Sequence, residues 1–169
     1  MTDPALSAVL ADLASSWQRQ GIAGPALPAA YVKEVCAVRG LILPPDFHQF
    51  YCAVNGTPGL YPNWLDEKGF SFLPIEALET RRGLLHIIPD NVTTKARQQV
   101  TVFVDYMHRS WEYGFIAAEN ETGYLIGIIP SEGIFKVLTS SLTTFLAWYL
   151  RDADELYDYG SDYPPEAVP

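Results

Sequence analysis

Basic residues are scarce in this chain, which holds 11 lysines and arginines against 20 aspartates and glutamates, for a formal net charge of −9. Proteins that bind nucleic acids or anionic membranes neutralise phosphates with basic side chains. The composition therefore argues against both kinds of partner. It favours a basic protein, because opposite electric fields accelerate association. Ordinary solubility explains the same acidity equally well.

The acidic residues are concentrated in the last third of the chain. Residues 111–169 hold two basic residues against ten acidic ones, whereas residues 80–110 hold five basic residues against two. Ordinary solubility explains this uneven spread of charge as well as a role in recognition does.

Cysteine is also scarce, and the chain has no long apolar run. Cys36 and Cys52 fall on predicted apolar helix faces, so we expect two buried free thiols rather than a disulfide or a metal pair. No apolar stretch reaches the roughly 18 residues of a membrane span. The first residues lack the basic and apolar regions of a secretory signal. We therefore expect a cytoplasmic protein.

Sequence motifs that carry catalysis are missing. The chain contains no G-x-S-x-G, no phosphate-binding glycine-rich loop and no H-E-x-x-H. His48, His86 and His108 are far apart, and none has a cysteine or aspartate at metal-ligand spacing. His48 and Cys52 share a helix face, but a catalytic pair also needs a thiol of lowered pKa that substrate can reach. We expect no metal, no cofactor and no enzymatic activity.

Hydrophobic spacing predicts helices first and strands later. One helix runs from Pro4 to Gly21, a second ends at Gly40, and a third begins at Pro45 and ends at Asn55-Gly56. Strands are predicted over residues 70–73, 100–106, 111–118, 124–129 and 134–138, and a final helix follows Ser140 or Ser141. Residues 81–99 are ambiguous, with 84–88 a further strand candidate.

This order of elements is typical of an α+β fold. We predict one twisted, mainly antiparallel sheet of about five or six strands, with helices packed on one face, N-terminal helices and one C-terminal helix. Antiparallel sheets can bury one face and leave the other for solvent or a partner.

Aromatic residues make up 13% of the chain, and several stand beside carboxylates. Tyrosine and tryptophan are enriched in interfaces, and a neighbouring carboxylate could meet a lysine or arginine of a basic partner. The candidates for partner binding are Trp64, Asp66, Glu67, Tyr106, Trp111, Glu112, Glu119 and Glu121. Two alternatives stay open: Trp111 and Tyr113 could instead pack under a helix, and Glu119 and Glu121 could lie in a solvated turn.

Residues 40–56 resemble the signature of the SUKH superfamily, which contains fungal cell-wall-assembly regulators and many bacterial immunity proteins. The family pattern is a helix ending near Gly-Leu, an extended Leu-Pro, a helix with aromatic core positions and a closing Asn-Gly. The residues that fit it are Gly40, Leu41, Leu43, Pro44, Asp46, Phe47, Phe50, Asn55 and Gly56. Residues 70–79, 103–105 and 140–150 are similar to further elements of the family.

The resemblance implies a non-catalytic protein-binding module, and it carries over no catalytic residue. Its bacterial members suggest an immunity protein that binds and neutralises a cognate toxin, for which a basic nuclease is one candidate. Its fungal members suggest the alternative, a cytosolic regulatory or scaffold protein. We predict one SUKH-like domain over residues 1–151, in which 1–27 form an N-terminal helix and linker and 28–151 the family core. Residues 152–169 form an acidic tail rich in tyrosine and proline.

Overall fold

The computed structural model describes residues 3–59, 65–83, 85–89, 99–117 and 123–158. Within these ranges the chain forms the α-helices α1 (Pro4–Gln20), α2 (Ala29–Arg39), α3 (Pro45–Ala53) and α4 (Leu142–Arg151). The strands are β1 (Phe70–Phe72), β2 (Glu79–Arg82), β3 (His86–Ile88), β4 (Gln99–Tyr106), β5 (Trp111–Ala117), β6 (Tyr124–Ile129) and β7 (Ile134–Thr139). Short 3-10 helices cover Ile75–Ala77 and Asp154–Tyr157.

The strands form a single sheet in the order β1-β4-β5-β6-β7-β3. Both β1 and β2 pair with β4 and follow one another along its free edge. The pairing of β3 with β7 is parallel, and the other pairings are antiparallel. The predicted α+β class is confirmed, with seven strands in the described chain rather than five or six. The extra strand is β2, which lacks the apolar alternation that identifies strands from sequence.

The helices pack on one face of this sheet, which we call the helix face. The ring of Phe47 in α3 lies 4.1 Å from that of Phe115 in β5, centroid to centroid. Phe145 in α4 lies 5.4 Å from Tyr113 in the same strand. A β-bulge between Val102 and Val104 shifts the register of β4 against β5. Together these rings anchor α3 and α4 to the middle of the sheet.

Both ends of α1 and the start of α4 have the caps expected from the sequence. The side chain of Asp3 accepts a hydrogen bond from the Ala5 amide at 2.9 Å, and Gly21 ends α1 with a left-handed φ of 70°. Ser141, one of the two predicted caps of the last helix, accepts from the Thr144 amide at 3.2 Å. No helix in the described segments is long and apolar enough to cross a membrane.

The residues of the SUKH-like motif hold the α-helical layer to the sheet. Leu43, Pro44, Phe47 and Phe50 are buried, Gly40 ends α2 in a left-handed conformation, and Asp46 accepts a hydrogen bond from the Tyr124 hydroxyl at 2.5 Å. In this fold the motif residues therefore form turns, fill the core and join α3 to the sheet.

The third helix ends before Asn55-Gly56, where the sequence predicted its end. The helix ends at Ala53, and only Gly56 has a positive φ, of 62°. Asn55 instead bridges through its amide, which accepts from the Ile75 amide and donates to Glu76, both at 2.8 Å. A Cβ on Gly56 would lie 2.5 Å from the Phe72 carbonyl oxygen, so the close approach also requires glycine.

The first part of the predicted acidic tail packs against the fold. Ala153 and Leu156 are buried, and the Leu156 carbonyl accepts a hydrogen bond from the Tyr113 hydroxyl at 2.8 Å. Lys136, on β7, pairs with Asp158 at 2.9 Å. Residues 152–158 therefore belong to the packed structure, whereas residues 159–169 lie outside the described chain.

Candidate functional site

The structure separates the candidates for partner binding into several environments. Asp66, Glu67, Tyr106, Trp111 and Glu112 lie in described segments, and Trp64, Glu119 and Glu121 lie outside the described residues. The five described candidates do not form one surface.

Tyr106 and Trp111 face each other across the β4–β5 hairpin. Their rings stack with centroids 4.3 Å apart, and the Trp111 indole N–H donates to the Tyr113 hydroxyl at 3.0 Å. Tyr157, from the C-terminal 3-10 helix, packs edge-on against Tyr106 at 5.8 Å. Tyr113 is buried against Phe145 of α4. This geometry favours the packing alternative for Tyr113, which lies under α4, and shows Trp111 packed on Tyr106 and bonded to Tyr113.

Asp66 is buried and holds a loop in place. Its carboxylate accepts from the backbone amides of Lys68 and Phe70 at 2.9 and 2.8 Å, and from the Tyr149 hydroxyl. That hydroxyl also accepts from the Trp17 indole at 2.9 Å, so the chain of bonds joins α1, α4 and the loop. Burial and the charge of Asp66 hold the pKa of Tyr149 well above its usual value. Neighbouring Glu67 is exposed to solvent.

Glu112 points to the opposite face of the sheet, because side chains alternate along a strand and Tyr113 faces the helices. Val102 lies opposite both Gly114 and Glu79 in the register, which places Glu79 on the same face as Glu112. We call this side of the sheet the cavity face. The partners of Glu112 therefore come from a strand that is distant in the sequence.

Four charged side chains interlock on the cavity face. Arg81 donates two hydrogen bonds to the Glu112 carboxylate, from Nη1 to Oε2 at 2.5 Å and from Nη2 to Oε1 at 2.8 Å. Glu79 accepts from Arg81 at 2.9 Å and from Arg109 at 2.5 Å, and Arg109 Nε lies 3.9 Å from Glu112 Oε1. We call these four residues, Glu79, Arg81, Arg109 and Glu112, the charge cluster.

The mutual field of the charge cluster favours the ionised forms of Glu79 and Arg81. Partial burial acts to raise the pKa of Glu79, but the hydrogen bonds and charges of Arg81 and Arg109 together lower it below its usual value. Hydrogen bonding to Glu112 raises the pKa of Arg81. Nearby, burial and the charge of Glu112 raise the pKa of Asp105. The cluster is thus a fixed array of charges rather than a pair poised for proton transfer.

The turn that carries Arg109 has an unusual backbone. Met107, His108 and Arg109 have successive φ values of 49°, 55° and 65°, although none is glycine. Each left-handed residue of this kind costs roughly 1 kcal/mol. The Asp105 carboxylate accepts from the Arg109 amide at 2.6 Å, which fixes the turn. Strained residues of this kind concentrate at binding and catalytic sites, and here they position Arg109 over Glu79 and Glu112.

A cavity of about 390 Å³ opens over the charge cluster. Besides the cluster, the described residues that line it are Ser110, Trp111, Ile129, Pro130, Ser131 and Glu132. A second cavity, of about 170 Å³, shares Arg81, Ile129 and Glu132 with the first. The larger cavity falls within the roughly 300–1,000 Å³ of pockets that hold small molecules or side chains.

Sequence reasoning found Glu112 but missed Glu79, Arg81, Arg109 and Glu132. The first two lie on β2, whose sequence Glu-Thr-Arg-Arg shows no apolar pattern. A usable signal was present, because Glu79 and Arg81 are two apart and so share a face of any strand. Arg109 required knowledge of the turn conformation, which its residue types do not favour.

The groups considered for chemistry remain apart from this cavity. Burial raises the pKa of the Cys36 thiol, and burial together with Lys33 lowers the pKa of His48. In the part of the chain that the structure describes, no three or more histidine, cysteine, aspartate or glutamate side chains are grouped to hold a metal ion. The arrangement on the cavity face can recognise charge and shape.

Comparison with known proteins adds no relative: no family model, curated protein or solved structure matches this chain. The likeness of residues 40–56 to the SUKH superfamily therefore stays a prediction from the sequence.

Proposed function

We propose that this chain is a non-catalytic protein-binding module, and that it acts as a cytoplasmic bacterial immunity protein that neutralises a cognate toxin. The observation that carries the proposal is the cavity over the charge cluster. It opens on the sheet face opposite the helices, where an antiparallel sheet can present a surface to a partner.

Rigid charged side chains suit such a surface. Ion pairs hold the side chains of Glu79, Arg81 and Glu112, which lie on strands of the sheet. Few side chains therefore lose conformational freedom when a partner binds. Preorganisation of this kind lowers the entropy that association loses. It also fixes the register of a partner whose charges are complementary.

The overall charge indicates the kind of partner. With a net charge of −9, the chain repels polyanions and attracts basic proteins. The SUKH-like motif adds the immunity role, since that family contains many such proteins. A regulatory or scaffold role, as in the fungal members, uses the same surface with a different partner. A toxin gene beside the gene for this chain separates the two roles in favour of immunity.

The proposal predicts a toxin domain encoded by a neighbouring gene, and co-expression with that domain tests it. We expect the wild-type chain to restore growth and to co-purify with the toxin. Glu132→Arg reverses a charge at the exposed rim of the cavity, and we expect it to weaken the rescue. Glu34→Arg makes the same change at an exposed site on α2, outside the cavity, and should rescue fully. A toxin that stays fully active with the wild-type chain in excess would refute the immunity role.

A further inference from the structure

We infer that the cavity over the charge cluster receives an arginine side chain of the partner protein. The inference rests on the proposed function and names the residue class that the cavity recognises. Three observations support it. The lining has a negative charge balance, Glu79 and Glu132 offer hydrogen-bond acceptors, and the Arg109 guanidinium already binds to carboxylates in part of the cavity.

Among the residues that the structure describes, the lining of the cavity carries one more negative charge than positive. Its carboxylates are Glu79, Glu112 and Glu132, and its guanidinium groups are Arg81 and Arg109. One added cation makes the lining neutral, whereas an added anion raises the excess of negative charge. The net charge of the whole chain acts in the same direction.

The carboxylates can accept further hydrogen bonds. An ionised carboxylate offers about four acceptor positions. Glu79 accepts one hydrogen bond from Arg81 and one from Arg109, and its side chain is 32% exposed. Glu132 is exposed at the rim. A planar guanidinium, with five donors, can therefore bond to both carboxylates from the open side of the cavity.

Arg109 shows how a guanidinium sits in this site. Its Nη2 lies 2.5 Å from Glu79 and its Nε lies 3.9 Å from Glu112, while its side chain stays 55% exposed. The apolar side chains of Ile129 and Pro130 line the same space. They suit the methylene stem of an arginine, which packs on apolar surface while its head stays polar.

The opposite reading is a carboxylate of the partner bound to Arg81 and Arg109. Both arginines already donate to Glu79, and Arg81 also donates twice to Glu112. A partner carboxylate at these arginines would also lie beside the carboxylates of Glu79, Glu112 and Glu132. The geometry thus favours the cation, and the experiment below separates the two.

The test is an NMR titration with three blocked amino acids: N-acetyl-arginine N-methylamide and the corresponding derivatives of citrulline and glutamate. Citrulline has the shape of arginine without its charge. We expect the arginine probe to shift the backbone amides of residues 110–112 and 129–132, with a Kd on the order of 1 mM. The citrulline probe should bind at least about tenfold more weakly. Equal binding of arginine and citrulline, or tighter binding of glutamate, would overturn the inference.

Variants of the protein make the test more specific, because one of them should bind the arginine probe more tightly than the wild type. Arg109→Gln removes the internal cation, and we expect it to bind the arginine probe about fivefold more tightly, a gain that misfolding cannot produce. Glu132→Gln should bind about threefold more weakly, and Glu34→Gln, outside the cavity, should match the wild type. Unchanged affinity in Arg109→Gln would count against an arginine site.

The two proposals can fail separately. If the toxin is neutralised while the arginine probe does not bind the cavity, the inference falls and the proposed function stands. If the probe binds as expected while the neighbouring toxin is not bound, the arginine site stands and the immunity role falls.

Discussion

Replacing Glu112 with glutamine should lower the stability of the protein, because it removes the buried charge of the cluster. Glu112 and Arg81 share two hydrogen bonds, and their side chains are 10% and 39% exposed. Two charges about 4 Å apart attract by about 4 kcal/mol at an effective dielectric constant of 20. The cost of desolvating Glu112 and the screening of Arg81 by solvent together cancel about half of that attractive energy. We therefore expect a coupling energy of about 2 kcal/mol.

A double-mutant cycle with Glu112→Gln, Arg81→Met and the combined variant measures this coupling by urea unfolding. The Arg151–Glu155 pair is the matched control, since it is also an Arg–Glu ion pair but its side chains are 61% and 51% exposed. We expect about 0.3 kcal/mol for that pair. A coupling between Arg81 and Glu112 no larger than in the control would refute the view that the cluster is a stabilising, preorganised array.

Three further predictions, the first with a control variant, test other parts of the structure. Gly56→Ala should lower the unfolding free energy by about 3 kcal/mol or more, because it forces both a left-handed alanine and a clash with a backbone oxygen. Gly21→Ala, with a φ of 70° and open space around it, should cost only about 1 kcal/mol; equal losses in urea unfolding would contradict this account. Leu156→Ala should cost about 2–4 kcal/mol, since its side chain is fully buried, and a loss under about 0.5 kcal/mol would show that residues 152–158 are not part of the core. Asp105→Asn should raise the thermal midpoint at pH 7, because burial raises the pKa of Asp105 in the folded state and its ionised form opposes folding. This gain should disappear as the pH falls below the unfolded pKa of about 3.9, and an equal gain at pH 3 and pH 7 would exclude the explanation.

Local signals in the sequence were sufficient for the helices and the main hairpin. Asp3-Pro4 and Ser141 define helix starts through side-chain capping, which depends on neighbouring residues alone. The β5–β6 hairpin follows from two apolar runs around a polar turn, and its antiparallel pairing is confirmed.

Long-range contacts explain what the sequence could not predict. Along β4, Thr101, Phe103 and Asp105 are buried as fully as the valines that alternate with them. The bulge beside Phe103 and the elements packed on both sides of the strand decide that burial. Alternation within one strand carries no information about them.

The candidate site was predicted in part for the same reason. Glu112 was singled out as an exposed carboxylate beside an aromatic residue, yet it is buried by an arginine 31 positions away in the sequence. Asp66, singled out on similar grounds, is enclosed by a hydrogen bond from Tyr149 in α4. Whether a carboxylate faces solvent depends on which distant cation or hydroxyl the fold brings to it.

The central claim is that this chain recognises a basic protein through its cavity face. Calorimetric titration with the toxin domain of the neighbouring gene measures it most directly. We predict a one-to-one complex with a Kd of about 10 nM or tighter, weakened at least tenfold by Glu132→Arg and unchanged by Glu34→Arg. The absence of binding by the wild-type chain, or equal binding by the two variants, would contradict it.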